Sequence, residues 1–149
     1  MIIFKKKNIL KTKQIIFPVL MSNVDCENGF ITMPGLYYHR QRKTHSNECL
    51  MTILTDRYSL IELSFVKIDM DCDQSQYIDV VDGIMFKKSY WPQSNGDLNA
   101  NERIHHMCRK NAVKTIITGH NAAQINYRVK INQGFVLRVN FIKQKIPSK

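Results

Sequence analysis

Apolar and polar residues alternate over residues 60–65, where Ile61, Leu63 and Phe65 are separated by Glu62 and Ser64. A period of two marks a strand with one buried face. A second run, residues 77–81, ends at Asp82-Gly83, a turn signal. Between the two lies an acidic turn in which Asp69, Asp71 and Asp73 surround Cys72. The same reading extends to both sides. Gly29, Pro34 and Gly35 punctuate short strands over 30–33 and 36–39, and residues 49–54 form the next. Residues 113–118, 124–130 and 134–142 complete the set. In the last of these Phe135, Leu137, Val139 and Phe141 share one face, with Val136, Arg138 and Asn140 opposite. Short strands separated by turns, with no convincing helix, predict an all-β sandwich. Residues 84–103 read as a long excursion through Trp91-Pro92, and loops of that length usually carry function or motion. Trp91 either anchors this loop on the wall of the domain or faces a ligand.

Composition sets the class. A chain of 149 residues with 44% hydrophobic residues suits one domain with a real core. No apolar run is long enough for a transmembrane helix, so no membrane partner is expected. The net charge of +10 invites a nucleic-acid reading. Its distribution argues against one: Lys5, Lys6, Lys7, Lys11 and Lys13 crowd the first thirteen residues, and no basic helix or aromatic-studded basic strand follows. Residues 1–25 are expected to be an N-terminal tail or a degenerate signal segment, because Pro18, Lys11 and Lys13 interrupt the apolar stretch. The domain is expected over 26–142, with a tail over 143–149.

Candidate chemistry is sparse. There is no nucleophile elbow, H-E-x-x-H or phosphate loop, and the histidines are scattered, so an enzyme is not expected. Cys26, Cys49, Cys72 and Cys108 form no C-x-x-C pair, which removes the usual zinc and thioredoxin signatures. Two disulfides or four buried thiols remain open, with three pairings available to four cysteines. His105, His106 and Cys108 alternate along a strand and cannot easily share one ion. Residues 39–45, with Arg40, Arg42 and Lys43, read as a basic loop, either a solvated turn or a contact for an acidic partner.

The order of these features resembles a CUB domain, a disulfide-linked jelly-roll sandwich of extracellular proteins. It runs from cysteine through a glycine-punctuated strand to a second cysteine and an apolar strand. The acidic turn with its cysteine, a strand ending in Asp-Gly, the fourth cysteine and Gly134-Phe135 follow. The resemblance is closer to the N-terminal half of the corticotropin-releasing factor-binding proteins. It is carried by Ile68-Asp69, Asp71-Cys72, Asp82-Gly83, the Lys87-Lys88 loop leading to Trp91-Pro92, Glu102-Arg103 before Cys108, Tyr127-Arg128-Val129 and Gly134-Phe135. It implies a CUB-like jelly-roll β-sandwich with two disulfides, pairing Cys26 with Cys49 and Cys72 with Cys108. It implies a secreted, extracellular protein that sequesters a peptide hormone of the corticotropin-releasing factor or diuretic-hormone type and carries no cofactor. The alternative is a generic extracellular CUB interaction module from a larger secreted protein. Candidate peptide contacts, chosen from exposure by pattern, are Tyr90 and Trp91, with Arg40, Arg42 and Lys43 as a steering patch. No metal site is expected. The nearest to one is a weak calcium candidate at Asp69 and Asp71, because many CUB domains pair a turn acid with a second acid at a position that here is Gln76.

Overall fold

The structure is a computed structural model that describes residues 20–27, 29–43, 48–73, 75–87, 89–92, 100–109 and 114–145. The basic N-terminal segment through residue 19, residues 44–45 of the expected basic loop and residues 93–99 of the excursion lie outside the described residues. The elements run β1 (Met21–Asn23), β2 (Gly29–Ile31), β3 (Gly35–Arg40), β4 (Cys49–Leu54), β5 (Ser59–Asp69), β6 (Tyr77–Asp82), β7 (Ile84–Phe86), β8 (Ser89–Trp91), α1 (Ala100–Arg103), β9 (Ile104–His106), β10 (Thr115–Ile117), β11 (Ala122–Arg128) and β12 (Gly134–Lys143). They make two five-stranded sheets, ordered β1-β3-β12-β5-β10 and β2-β4-β11-β6-β9, and a separate hairpin of β7 and β8.

The core follows from alternation. Ile61, Leu63 and Phe65 of β5 and Phe135, Leu137 and Val139 of β12 turn inward from the first sheet. Met51, Ile53, Ile78, Val80, Ile125 and Tyr127 meet them from the second, all fully buried. Apolar faces of two sheets exclude water only by stacking on one another, which is why the alternating pattern yields a sandwich. Edge-to-face aromatic contacts join the layers, with ring centroids of Tyr127 and Phe135 5.1 Å apart. A bulge at Val136/Leu137 leaves Val66 of β5 without a partner residue, and Val66 is exposed.

β1 lies ahead of Cys26 and pairs in parallel with β3, and Val24 is buried in the core. Two expectations are corrected. The strand over 36–39 extends to Arg40, so His39 is a buried strand residue rather than the start of a loop. The excursion over 84–103 contains the β7–β8 hairpin and the single turn α1. Three-residue strands are too short to show a period, which is why the sequence hides them.

Two disulfides staple the sandwich. Cys26–Cys49 ties the segment after β1 to the start of β4, and Cys72–Cys108 ties the turn after β5 to the segment after β9. This is the pairing that the resemblance implies.

Candidate functional site

The two ends of the sandwich carry different chemistry. At one end β6 finishes in Asp82 and Gly83. Gly83 has a φ of +103°, a conformation that L side chains rarely adopt, and a Cβ there would run into the Trp91 carbonyl. The backbone can therefore fold straight back, and β7 and β8 pair Ile84 with Trp91, Met85 with Tyr90 and Phe86 with Ser89. The Met85 amide donates to Gln124 Oε1 at 2.8 Å, which docks the hairpin on the outer face of β11. Asp82 is buried and accepts from the Gly119 amide at 2.8 Å, with His120 Nδ1 2.8 Å from its other oxygen.

Arg103 completes this end. It is 2% exposed, and its guanidinium lies 5.4 Å from the centre of the Tyr90 ring. Nη2 donates to the Pro92 carbonyl at 2.5 Å, while Nη1 is buried with no hydrogen-bond partner among the described residues. A planar, permanently charged fork can stack on a ring and donate along its edge at once, which a lysine cannot. The last described residues of the hairpin, Tyr90 to Pro92, are thus held from behind by one buried cation. In front, Trp91 is 50% exposed and Phe86 71% exposed, an apolar ledge on a fixed support.

At the other end the acidic turn meets the turn between β11 and β12, where Asn132 adopts a φ of +66°. Arg40 Nη1 lies 3.2 Å from Asp69 and donates to the Asn132 carbonyl at 2.6 Å. Lys130 Nζ lies 2.7 Å from Asp73 and 3.5 Å from Asp71. The lysine ammonium and the Ser75 donors hold the Asp73 carboxyl well below the usual carboxylate range, and Asp73 in turn raises Lys130. Beyond Arg40 the exposed Arg42 and Lys43 reach the rim of an open cavity of about 350 Å³ that includes Asp25 and Glu27, with buried His39 beneath.

The structure therefore groups Tyr90 with Trp91, and Arg40 with Arg42 and Lys43, but puts the two groups at opposite ends of the sandwich. The six residues of β6 separate them, roughly 17–20 Å of strand. Arg40 contacts Asp69, so a residue chosen for steering neutralises one chosen for calcium. Sequence reasoning missed Lys130 and Gln133, which flank the Ile131-Asn132 turn tip, and the exposed Phe86. The Asn-Gln-Gly string at 132–134 was the available signal for a turn there. His106 Nδ1 sits 2.6 Å from Asp79, and among the described residues no three His, Cys, Asp or Glu side chains are placed to share a metal ion.

Two stacked five-stranded sheets, stapled by a disulfide near the start and another at the acidic turn, define a CUB-type sandwich. The domain superposes on the MASP-1 CUB2 domain bound to Ca2+ with a TM-score of 0.52 and 18% identity, covering 77% of this chain and 99% of that one. It superposes on the full extracellular region of zebrafish Gpr126/Adgrg6 with a TM-score of 0.54 and 14% identity, covering 80% of this chain and spanning only 15% of that one. At such identities the likeness is one of fold. The sequence matches the corticotropin-releasing factor binding protein N-terminal domain over residues 20–143, and the chain belongs to that family. No curated protein matches the sequence.

Proposed function

We propose that this domain is a secreted binding protein that sequesters a peptide hormone of the corticotropin-releasing factor or diuretic-hormone type and so limits its free concentration. The observation that carries the reading is the apolar ledge of Trp91 and Phe86, exposed yet fixed from behind by Arg103. An amphipathic helical peptide buries its apolar face on such a ledge, and a ledge that is already ordered loses little entropy on binding. Arg42 and Lys43, exposed at the far end, steer acidic residues of the peptide. Membership of the hormone-binding family supports the ligand class, and two disulfides suit an oxidising extracellular setting.

Calorimetric titration of the oxidised 149-residue protein with a peptide of the corticotropin-releasing-factor type, in EDTA, tests it. Binding in the nanomolar to micromolar range is expected; no heat at about 100 μM, a level that detects even micromolar affinity, overturns it. A second reading is a CUB interaction module of a larger extracellular protein, favoured by the fold likeness to one segment of the Gpr126/Adgrg6 extracellular region. On that reading the peptide fails while a protein partner binds.

A further inference from the structure

The acidic turn is where the sequence alone points to a cation, and the MASP-1 CUB2 domain is one with Ca2+ bound. The residues here do not fit that ion. We infer that Lys130 is the resident cation of the turn, an ammonium supplied by the chain itself, and that the domain dispenses with calcium.

Calcium takes about six to eight oxygens at about 2.3–2.6 Å, several of them charged. Three aspartates within five residues would be a fair start, but each is already engaged by donors of the protein itself. Asp69 faces Arg40 at 3.2 Å. Asp71 accepts from Gln133 Nε2 at 3.3 Å and lies 3.5 Å from Lys130. Asp73 accepts from Lys130 at 2.7 Å, from the Ser75 amide at 2.9 Å and from the Ser75 hydroxyl at 2.6 Å. The position at which a second acid would complete the site is Gln76, which is buried and neutral. Its Oε1 accepts from the backbone amides of Asp71 at 2.8 Å and Cys72 at 3.2 Å, and its Nε2 donates to Gln133 Oε1 at 2.7 Å. An oxygen committed to two amides has little left for a metal. The amide also crosslinks the acidic turn to the β11–β12 turn, a tie that an ion would otherwise supply.

The geometry has a functional consequence. A compact, strongly hydrated ammonium on a flexible stem neutralises two carboxylates at the surface without the geometric demands of a metal. The same end of the sandwich holds Arg40, so the acidic turn presents little net charge to a partner. Its order does not follow the calcium concentration of its surroundings.

The test follows thermal unfolding of the full chain in EDTA and in about 5 mM CaCl2, above the roughly 0.1–1 mM at which extracellular modules take up the ion. The wild type is expected to give the same midpoint in both. Lys130→Ala, which leaves Asp71 and Asp73 without their cation, is expected to lower the midpoint by roughly 2 °C at low salt, in EDTA and in CaCl2 alike. Lys130→Arg, which keeps the charge, is expected to hold the wild-type midpoint. A calcium-dependent rise in the wild type overturns the inference, and so does a Lys130→Ala variant as stable as the wild type in EDTA. Neither result bears on whether a hormone binds at the other end, so this reading and the proposed function fail separately.

Discussion

Replacing Trp91 by alanine isolates the feature on which the binding reading rests. Trp91 is the only tryptophan and is 50% exposed in the free domain. A buried aromatic side chain covers roughly 150–250 Å², so about 100 Å² remains for a ligand to cover. At about 25 cal/mol per Å² that area contributes about 2.5 kcal/mol. Ordering costs take back only about 0.5–1 kcal/mol, because the hairpin behind the ring is already held by Arg103 and by Gln124. The expected loss is therefore about 1.5–2 kcal/mol, or roughly ten- to thirty-fold in Kd. Folding stability should fall as well, by up to about 2.5 kcal/mol, because the half of the ring already covered in the free domain is lost with it. Titration calorimetry against a peptide of the corticotropin-releasing-factor type reads the affinity, and thermal unfolding controls for fold. The wild type offers a second readout: emission from its single tryptophan should shift to shorter wavelength as peptide covers it. A Trp91→Ala variant that binds within about twofold of wild type, together with an unmoved emission spectrum, would remove the ledge from the site.

Other consequences follow from the same geometry. Replacing Cys26 and Cys49 by serine opens a 23-residue loop and is expected to cost about 3.4 kcal/mol in denaturant unfolding, and opening the 36-residue Cys72–Cys108 loop about 3.8 kcal/mol; losses below about 1 kcal/mol would show the denatured chain to be already constrained there. Gly83→Ala forces a Cβ into the Trp91 carbonyl at a φ of +103°, and should lower stability by about 2 kcal/mol or more while changing the tryptophan spectrum; an unchanged spectrum and midpoint would refute the tight reversal described here. Burial, aided by the hydrogen bond to Glu48, pushes the Tyr77 hydroxyl up to about 12. The folded state then holds a proton that the unfolded chain releases near pH 10, so Tyr77 makes stability fall as pH rises from about 10 to 12. Tyr77→Phe should reduce that fall in alkaline denaturation, leaving what Tyr127, raised by burial and by Asp25, Tyr37, raised by burial, and Lys130, raised by Asp73, contribute.

Much of the sandwich was legible because its long strands bury one face and wet the other. Strand β4 falls on residues 49–54 as the pattern places it, and β5 and β12 show inward residues at every second position. Strand β11 was legible only as a strand. Its outward Gln124 and Asn126 are buried as well as its inward Ile125 and Tyr127, so polarity along it does not report exposure. The candidate site was half legible. Asp82-Gly83 and Trp91-Pro92 are local turn and aromatic signals, and local chemistry survives in sequence. Arg103 lies twelve residues beyond Trp91, and nothing in its neighbourhood says that its guanidinium is buried under Tyr90. Lys130 is further still from the aspartates it neutralises, and only the pairing of β5 and β11 with their neighbours brings the two turns together. Long-range partners of this kind are set by topology, to which composition is blind.

The separation of the two ends constrains what can bind both. Arg40 is engaged with Asp69 and Asn132, so the steering charge available to a ligand is that of Arg42 and Lys43. Trp91 lies beyond the other end of β6, about 17–20 Å of strand away. A helical peptide rises about 1.5 Å per residue, so about twelve residues must separate its acidic contact from its apolar one. A hormone peptide longer than that should show both signatures: an association rate that falls with salt and depends on Arg42, and an affinity that depends on Trp91. The Arg42→Ala and Trp91→Ala effects should add to within about 0.5 kcal/mol, because sites so far apart share no partner. A peptide cut to about eight residues around the apolar contact should keep its dependence on Trp91 and lose its response to salt and to Arg42→Ala. Should the short peptide keep the full salt response, both groups would lie within reach of one short segment, and a ligand running along the sandwich from end to end would be excluded.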